Sequence, residues 1–512
     1  MKTVWTDRSR ILSYQRCPRR RYMEYHEGGM GIVPRRTPLP LAVGGAVHEG
    51  LAVLLREGQA ALVPNTDIFD PRLVDIEEHA VMAALAELAT HADGLDLDLS
   101  ERAAQGPVDD IQKQLNDSLG QVDEGFEGRV LDAKAQFDAY LFAEQSALVE
   151  AMVRAYARRR LRPLLEQYEV LEVEREGEWL LAEMYAPLLN DKVELRFASR
   201  PDALLRDRES NQLYIQSFKT AASWDIRKER DSERDMQGLS EGVEIERRLG
   251  ELWTLLKGNH TIDFAQTTEQ MCKWLLALEA PPRILGIRME YLMKGERWKD
   301  KDLTARMGIE SRVQKSHLVR AYLNSGMAAG DEQWNYSYDF HKEDGSTSKL
   351  YYKTWRPAAV WEHMEIKKWI DMLDQTVETV GEEGRALGWS GPAQASGFTD
   401  GHPLDSVFHP PLVVYRNDDH LRDWFEQTEA QERAVAEHVE CVRVATDDER
   451  RSKLNVLFPM YRQSCEYPTT CPFVPICYGP EHVQRDPMGT GRYKVRDPNH
   501  IQEREAQHAS QD

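Results

Sequence analysis

Hydrophobic and polar positions along this chain follow two different periods. In RSRILSYQRCPRRRYMEYH (8–26), Ile11, Leu12 and Tyr14 begin a helical pattern that breaks at Cys17-Pro18, where the proline removes a backbone donor. Gly44-Gly45 reads as a turn that introduces a helix, AVHEGLAVLLREG, with His48 in its first turn. Residues 75–170 carry long, charged amphipathic patterns that predict helices. From about Val170 to Thr220 the period changes to two. It predicts strands at EVLEVERE, EWLLAEMYAPLL, VELRFASRPDALLRD and, after a polar turn at Glu209-Ser210-Asn211, LYIQSFKT. Helices return between Trp224 and Leu278, followed by a strand-like run, RILGIRMEYLMKG. Residues 296–356 are rich in charge and turn residues. Helices resume over 358–387 and 420–458, and the polar tail after Cys477 is expected to be disordered.

These patterns predict an α/β fold, a mixed sheet flanked by helices, with large helical insertions. They divide the chain into an N-terminal segment (1–57), a helical insertion (58–168), an α/β core (169–295), a second insertion (296–357), a C-terminal helical region (358–456), a cysteine loop (457–480) and a polar tail (481–512). The 512 residues, 41% of them hydrophobic, are enough for a substantial core. The N-terminus lacks a stretch of signal-peptide length, and no segment approaches the roughly 20 apolar residues that span a bilayer. The expectation is a soluble, cytoplasmic protein with no membrane partner.

A net charge of −21 disfavours indiscriminate coating of nucleic acid, which depends on Lys and Arg. Two local basic tracks stand against that background: Arg16, Arg19, Arg20 and Arg21, and then Arg154, Arg158, Arg159, Arg160 and Arg162. Each reads either as a solvated helix face or as a phosphate contact.

Six cysteines in a chain of this length do not make a disulfide scaffold. Cys465, Cys471 and Cys477 fall in C-EYPTT-C-PFVPI-C, where Pro468, Pro472 and Pro475 forbid a continuous helix, so the loop can wrap three thiolates around one centre. A fourth soft ligand would complete a cubane cluster or a structural zinc site. Cys272 and Cys441 sit in amphipathic helical patterns and read as small buried hydrophobes. Cys17, in R-C-P-R-R, shares the polar, proline-broken setting and is the best fourth ligand.

The other chemistry concentrates in SRPDALLRDRESNQLYIQSFKT. Asp202 closes one strand-like run and Lys219 ends the next, across a turn short enough for a hairpin. Alternation puts Ser217 and Lys219 on one face and Gln216 and Phe218 on the other. Such a face suits a metal-dependent nuclease, in which carboxylates hold a divalent ion that activates water while a lysine orients or deprotonates it.

Several motifs recur in order: C-P-R-R-x-Y from Cys17, G-x-x-V-H-E ending at Glu49, P-D at Asp202, F-K-T around Lys219, Q-x-x-x-W from Gln270 to Trp274, and C-x5-C-x5-C. Together they resemble the RecB-like branch of the PD-(D/E)XK nuclease superfamily, which includes iron-sulfur nucleases of helicase-nuclease complexes, CRISPR adaptation and many phages. The resemblance runs discontinuously over Ser9–Lys294 and again over Leu457–Gly479. It implies a restriction-endonuclease-like core, exonuclease or single-strand-preferring hydrolysis of DNA with Mg²⁺ or Mn²⁺, and a 4Fe-4S cluster rather than zinc on Cys17, Cys465, Cys471 and Cys477. It also implies DNA and a helicase or a recombination or adaptation protein as partners, in a bacterial or phage-infected cytoplasm. No P-loop is present, so unwinding falls to a partner.

By the same resemblance, His48 lies beside the metal, Asp202 is the first metal-binding acid and Lys219 the catalytic lysine. Gln270, with Trp274, matches the family's Gln-x-x-x-Tyr helix, and Gln237 is a second candidate. Ser217 departs from the pattern, standing where the family carries Asp or Glu. Either a neighbouring acid, Glu194, Glu174 or Glu183, has taken over, or the chain is a degenerate nuclease fold that binds DNA or scaffolds a complex. A redox-responsive iron-sulfur protein is a further alternative.

Overall fold

The computed structural model describes residues 2–63 (except 36), 69–91, 95–96, 145–221 (except 147, 151 and 187–190), 230, 237–260 (except 259), 269–294, 337–341, 347–351, 408–466 (except 416) and 470–500 (except 499). Strand β1 (Lys2–Thr6) leads into α1 (Arg8–Arg16), which Asp7 caps by accepting the Arg10 amide at 2.9 Å. Cys17 is extended and ends α1 where the sequence breaks. Pro18 then opens α2 (Pro18–Tyr25), at a position where a missing N–H leaves no helical bond unmade.

After β2 (Ile32–Pro34), α3 spans Leu39–Ala61. Gly44-Gly45 therefore lies inside this helix rather than before it, and His48 sits well past the first turn. Gly44 has a packing role: a Cβ there would come within 3.2 Å of the Thr220 hydroxyl, so the helix can lie close on that strand. With its 23 residues, α3 also has the length and hydropathy of a membrane span, contrary to the expectation that no segment would. Its Val43, Ala46, Val47, Leu51, Leu54 and Leu55 are nonetheless buried in a protein core. That core is shared with α4 (Leu73–Thr90) and with α5 (Arg162–Gln167), which continues from a π turn at Ala157–Leu161. The expected boundary at 57/58 falls within α3, and the described parts of 58–168 pack on it.

The period-two stretch forms β3 (Tyr168–Val173), β4 (Gly177–Ala186), β5 (Asp191–Ser199), β6 (Ala203–Asp207) and β7 (Leu213–Ala221). Two sheets result. β4 and β5 form a hairpin with β1 parallel to β5. β3, β6 and β7 make an antiparallel ladder, after which α6 (Gln237–Lys257) and α7 (Glu269–Ala277) carry the chain to β8 (Ile284–Met293), parallel to β7. Parallel neighbours require such a crossover. With β9 (Leu412–Tyr415) at the edge, the order is β9-β8-β7-β6-β3. Phe218 and Leu205 face the α3 core, while Leu204, Ile215 and Met289 face Ile245 and Leu275 of the α6 and α7 layer. The fold is mixed α/β.

α8 (Asp418–Arg443) lays Trp424 against Phe197 of the three-stranded sheet, and α9 (Asp447–Leu457) follows through a capping box at Thr446. The tail departs from expectation: β10 (Tyr493–Val495) pairs with β2, Tyr493 stacks on Phe473 and donates to the Pro472 carbonyl at 2.7 Å, and Arg496 lies over Tyr25. Aromatic and cationic anchors do here what aliphatic residues would do elsewhere. Residues 337–341 and 347–351 form a hairpin. The rest of 296–357 and the expected helix at 358–387 lie outside the described residues.

Two residues of the first basic track, Arg19 and Arg21, tie the N-terminal helices to the C-terminal ones rather than facing solvent. Arg19 donates to the Phe458 carbonyl at 3.0 Å and to Asn455 Oδ1 at 2.9 Å, and Arg21, fully buried, pairs with Glu432 at 2.8 Å. Removing one partner of such a pair leaves an uncompensated buried charge. Arg21→Ala is expected to cost about 3–5 kcal/mol in urea unfolding. Arg21→Met combined with Glu432→Leu should recover much of that loss, and a single variant no less stable than wild type would contradict this reading.

Candidate functional site

Two ladders converge on Asp202. β3 pairs with β6 as far as Val173 and Ala203, and the Glu174 amide extends the pairing by donating to the Asp202 carbonyl at 3.0 Å. β6 pairs with β7 only from Ala203 opposite Gln216, so Ser217 to Lys219 run on past the start of β6. There Asp202 Oδ2 accepts the Phe218 amide at 2.6 Å. From the other side α3 brings His48, whose Nδ1 lies 3.1 Å from Asp202 Oδ1 and whose ring meets Phe218 edge-on.

Burial alone would push the Asp202 carboxyl up. The charges of His48 and Lys219 and the bonds from His48 and Phe218 outweigh it and hold the group below the usual carboxylate range. Asp202 is therefore an anion and can only accept. It follows that His48 Nδ1 carries a proton, and in the neutral imidazole Nε2 keeps its lone pair for a proton or a metal. Lys219 is near enough for its charge to act on Asp202, and it shares a strand face with Ser217. The Ser217 hydroxyl is buried and makes no hydrogen bond.

Of the three glutamates named as replacements for the strand acid, one is here. Glu174 ends β3 with a positive φ of 47°, lies 3.9 Å from Arg56, and is pushed up by burial, against Arg200 and with the charges of Asp202 and Glu49 adding to the push. Glu194 instead bonds Arg196 at 3.0 Å on β5, and Glu183 lies on β4, both in the other sheet. Trp274 is a core aromatic, its Nε1 donating to Asn211 at 3.1 Å beside the start of β7, the end remote from Lys219. The side chains of Gln270 and Gln237 lie outside the described residues.

The second basic track is largely neutralised within the protein. Arg154 binds Glu77, Glu78 and Glu150, Arg158 binds Glu77, Arg160 lies 3.7 Å from Glu290, and Arg162 binds Glu166. Positive groups around Asp202 come instead from single residues that the tracks did not include: Arg56, Arg200 and Lys219. Lys294 is held to the Pro40 carbonyl at 2.7 Å, near the start of α3.

The cysteines form a second locus. The Tyr461 amide lies 3.5 Å from Cys17 Sγ, and Arg19 ties α2 to the same stretch, so the N-terminal cysteine meets the C-terminal loop. Cys465 Sγ lies 3.8 Å from the Tyr478 hydroxyl, and the Cys471 amide donates to the Cys465 carbonyl at 2.7 Å. Burial pushes Cys477 up to about 12, Arg19 opposes it, and the charges of Cys471, Cys17 and Cys465 add to the push, so the four thiols lie within electrostatic reach of one another. Cys272 is buried and Cys441 half-buried, each on a helix. Among the described residues, no three His, Cys, Asp or Glu side chains are gathered closely enough about one point to hold a metal ion. No protein-family model and no curated protein sequence matches the chain.

Proposed function

We propose that this chain is a divalent-metal-dependent DNA nuclease with a PD-(D/E)XK-type core made of α3, β3, β6, β7, the α6–α7 crossover and β8. The observation that carries the reading is the Asp202 carboxylate, an anion held between His48 Nδ1 and the Phe218 amide, one residue before Lys219. The antiparallel β3-β6-β7 ladder followed by a helical crossover to a parallel β8 supports it, because that arrangement brings a strand end, a hairpin and a helix to one place.

The donors suit a hard cation in kind: the ionised Asp202 carboxylate and the buried Ser217 hydroxyl without a hydrogen-bond partner. Mg²⁺ or Mn²⁺ held at the Asp202 carboxylate, with His48 orienting that carboxylate through Nδ1, would supply an acidified water and offset charge on the scissile phosphate. The chain's own groups do the rest. Lys219 holds the attacking water or carries its proton, His48 Nε2 accepts a proton, and Arg56 and Arg200 neutralise phosphates on either side. With the longer basic tracks committed to internal pairs, these single cations are the proposed DNA contacts.

The thiols of Cys17, Cys465, Cys471 and Cys477 fit a soft metal, with Arg19 and Arg20 near enough to offset the charge of a thiolate-ligated centre. We assign them a structural 4Fe-4S cluster that joins the chain ends. A helicase, recombination or adaptation protein would supply unwinding. The neutral Ser217 favours a second reading, a degenerate nuclease that binds DNA or scaffolds a complex without cutting.

Cleavage of single- and double-stranded DNA with Mn²⁺ separates the two readings. The wild type is expected to cut, and Asp202→Ala and Lys219→Ala are each expected to lose at least about a hundredfold in rate, Lys219→Ala at an unchanged melting temperature and Asp202→Ala at a lower one because its bonds to His48 and the Phe218 amide are lost. Binding without cutting would favour the scaffold, and cutting undiminished in both variants would displace the site.

A separate measurement addresses the cluster. Protein purified without oxygen should be brown with about four irons per chain. Cys17→Ser should lose the iron, whereas Cys272→Ser and Cys441→Ser should keep it. Colourless protein holding one zinc would overturn the assignment.

A further inference from the structure

We propose that Tyr156 is a positioning residue for His48, acting through the ring of Phe218. The inference rests on the nuclease reading for its purpose, but its geometry lies in the core behind the site.

Phe218 touches the site twice. Its amide binds Asp202 at 2.6 Å, and its ring meets the His48 ring edge-on, with centroids 6.3 Å apart and planes at 87°. Tyr156 meets the same Phe218 ring edge-on, at 5.4 Å and 88°. Edge contacts between rings prefer a definite orientation, so a ring held by Tyr156 presents a defined surface to the imidazole. Phe408, 6.0 Å from Tyr156, closes the row. The helices that carry the two residues are in direct contact. A Cβ at Gly50, two residues past His48, would come within 2.7 Å of Val153, three residues before Tyr156.

Tyr156 is held more firmly than packing requires. Its side chain is fully buried in the α3 core, where a phenylalanine would fill the space with no polar group to satisfy. The hydroxyl instead donates to Glu290 Oε2 at 3.5 Å, and burial together with the Glu290 charge pushes the phenol well above its usual range, so it keeps its proton. Glu290 is itself fully buried and accepts from Arg288 at 2.8 Å. Arg288 also donates to Gln216 at 2.6 Å, on the strand that carries Phe218. Arg160 approaches Glu290 at 3.7 Å from the π turn that follows Tyr156, an irregularity that recurs in helices at functional sites. Charges and hydrogen bonds in so dry a setting favour one arrangement of the rings over its alternatives.

With the Tyr156 ring in place, Phe218 backs the imidazole while Nδ1 faces Asp202. Without it Phe218 can turn, and His48 can follow. The tautomer of His48 reports the difference, because the proton is fixed on Nδ1 by the bond to Asp202.

The test is the nitrogen NMR spectrum of the imidazoles in the full chain, without added divalent metal and at a pH where the ring is neutral. The His48 signal is identified by its loss in His48→Gln. Wild type should carry the proton on Nδ1. Tyr156→Leu should shift His48 to the mixed tautomers of a free imidazole and lower kcat for DNA cleavage about tenfold with KM little changed. Tyr156→Phe keeps the ring and should retain the wild-type tautomer. Leu88→Ala, a fully buried change on α4 in the same core, should retain it too although it destabilises the fold, which separates positioning from loss of packing. An unchanged tautomer in Tyr156→Leu, the same shift in Tyr156→Phe or Leu88→Ala, or a wild type protonated on Nε2 would each overturn the proposal. The spectrum needs no cleavage, so this failure is distinguishable from that of the nuclease reading. A shift in Tyr156→Leu of a wild type that never cuts sustains the positioning and removes the nuclease. An unchanged tautomer in Tyr156→Leu of a wild type that cuts sustains the nuclease and removes the positioning.

Discussion

The Asp202 carboxylate accepts the Phe218 amide through one oxygen and meets His48 Nδ1 through the other, while its backbone carbonyl accepts from Glu174. One residue therefore joins α3, β3, β6 and β7 where the regular pairing of β6 with β7 has already ended. Hydrogen bonds to an ionised group in a mostly buried setting are stronger than neutral ones, and each fixes the direction of the group that donates it. The close approach of α3 depends on the same joint, since a side chain at Gly44 would press on Thr220 just beyond Phe218. A site whose members are fixed by the ladder and by a buried helix is pre-organised without a loop having to close over it.

A second constraint is how the chain uses its arginines. Against a net charge of −21, the buried guanidinium groups at Arg21, Arg154 and Arg288 each face a glutamate, at Glu432, Glu77 and Glu290 respectively. Buried pairs of this kind contribute little net stability but penalise any arrangement that separates them, which favours one docking of the N-terminal helices on the C-terminal ones. The proposed cluster thiols lie at that junction, so the arginines and the cysteines constrain the same closure.

Much of this was legible in the residues, for identifiable reasons. Period-two alternation marks four runs between Tyr168 and Ala221, but VELRFASRPDALLRD is two strands, β5 and β6, and Asp202 stands just before β6 rather than closing a strand. The Cys17-Pro18 break separated two helices as expected. Other features depended on tertiary partners. Gly44-Gly45 looked like a turn because its reason for being glycine is a strand far away in sequence. The arginine tracks read as a solvated or DNA-facing surface because the partners that bury them are remote in sequence, Glu432 for Arg21 and Glu77 for Arg154 and Arg158. The tail looked unstructured because it lacks aliphatics, yet Tyr493 and Arg496 anchor it through ring contacts. Glu174 was one of three equal candidates until the β3-β6 pairing set it beside Asp202.

The central claim is that the charge at Asp202 exists to hold a cation as well as to join the fold. Diffraction from crystals soaked in Mn²⁺, collected at the manganese absorption edge, tests this most directly. The account predicts one anomalous peak within coordination distance of the Asp202 carboxylate. A peak only elsewhere on the molecule, or none at saturating Mn²⁺ with Asp202 still bound to His48, would contradict it.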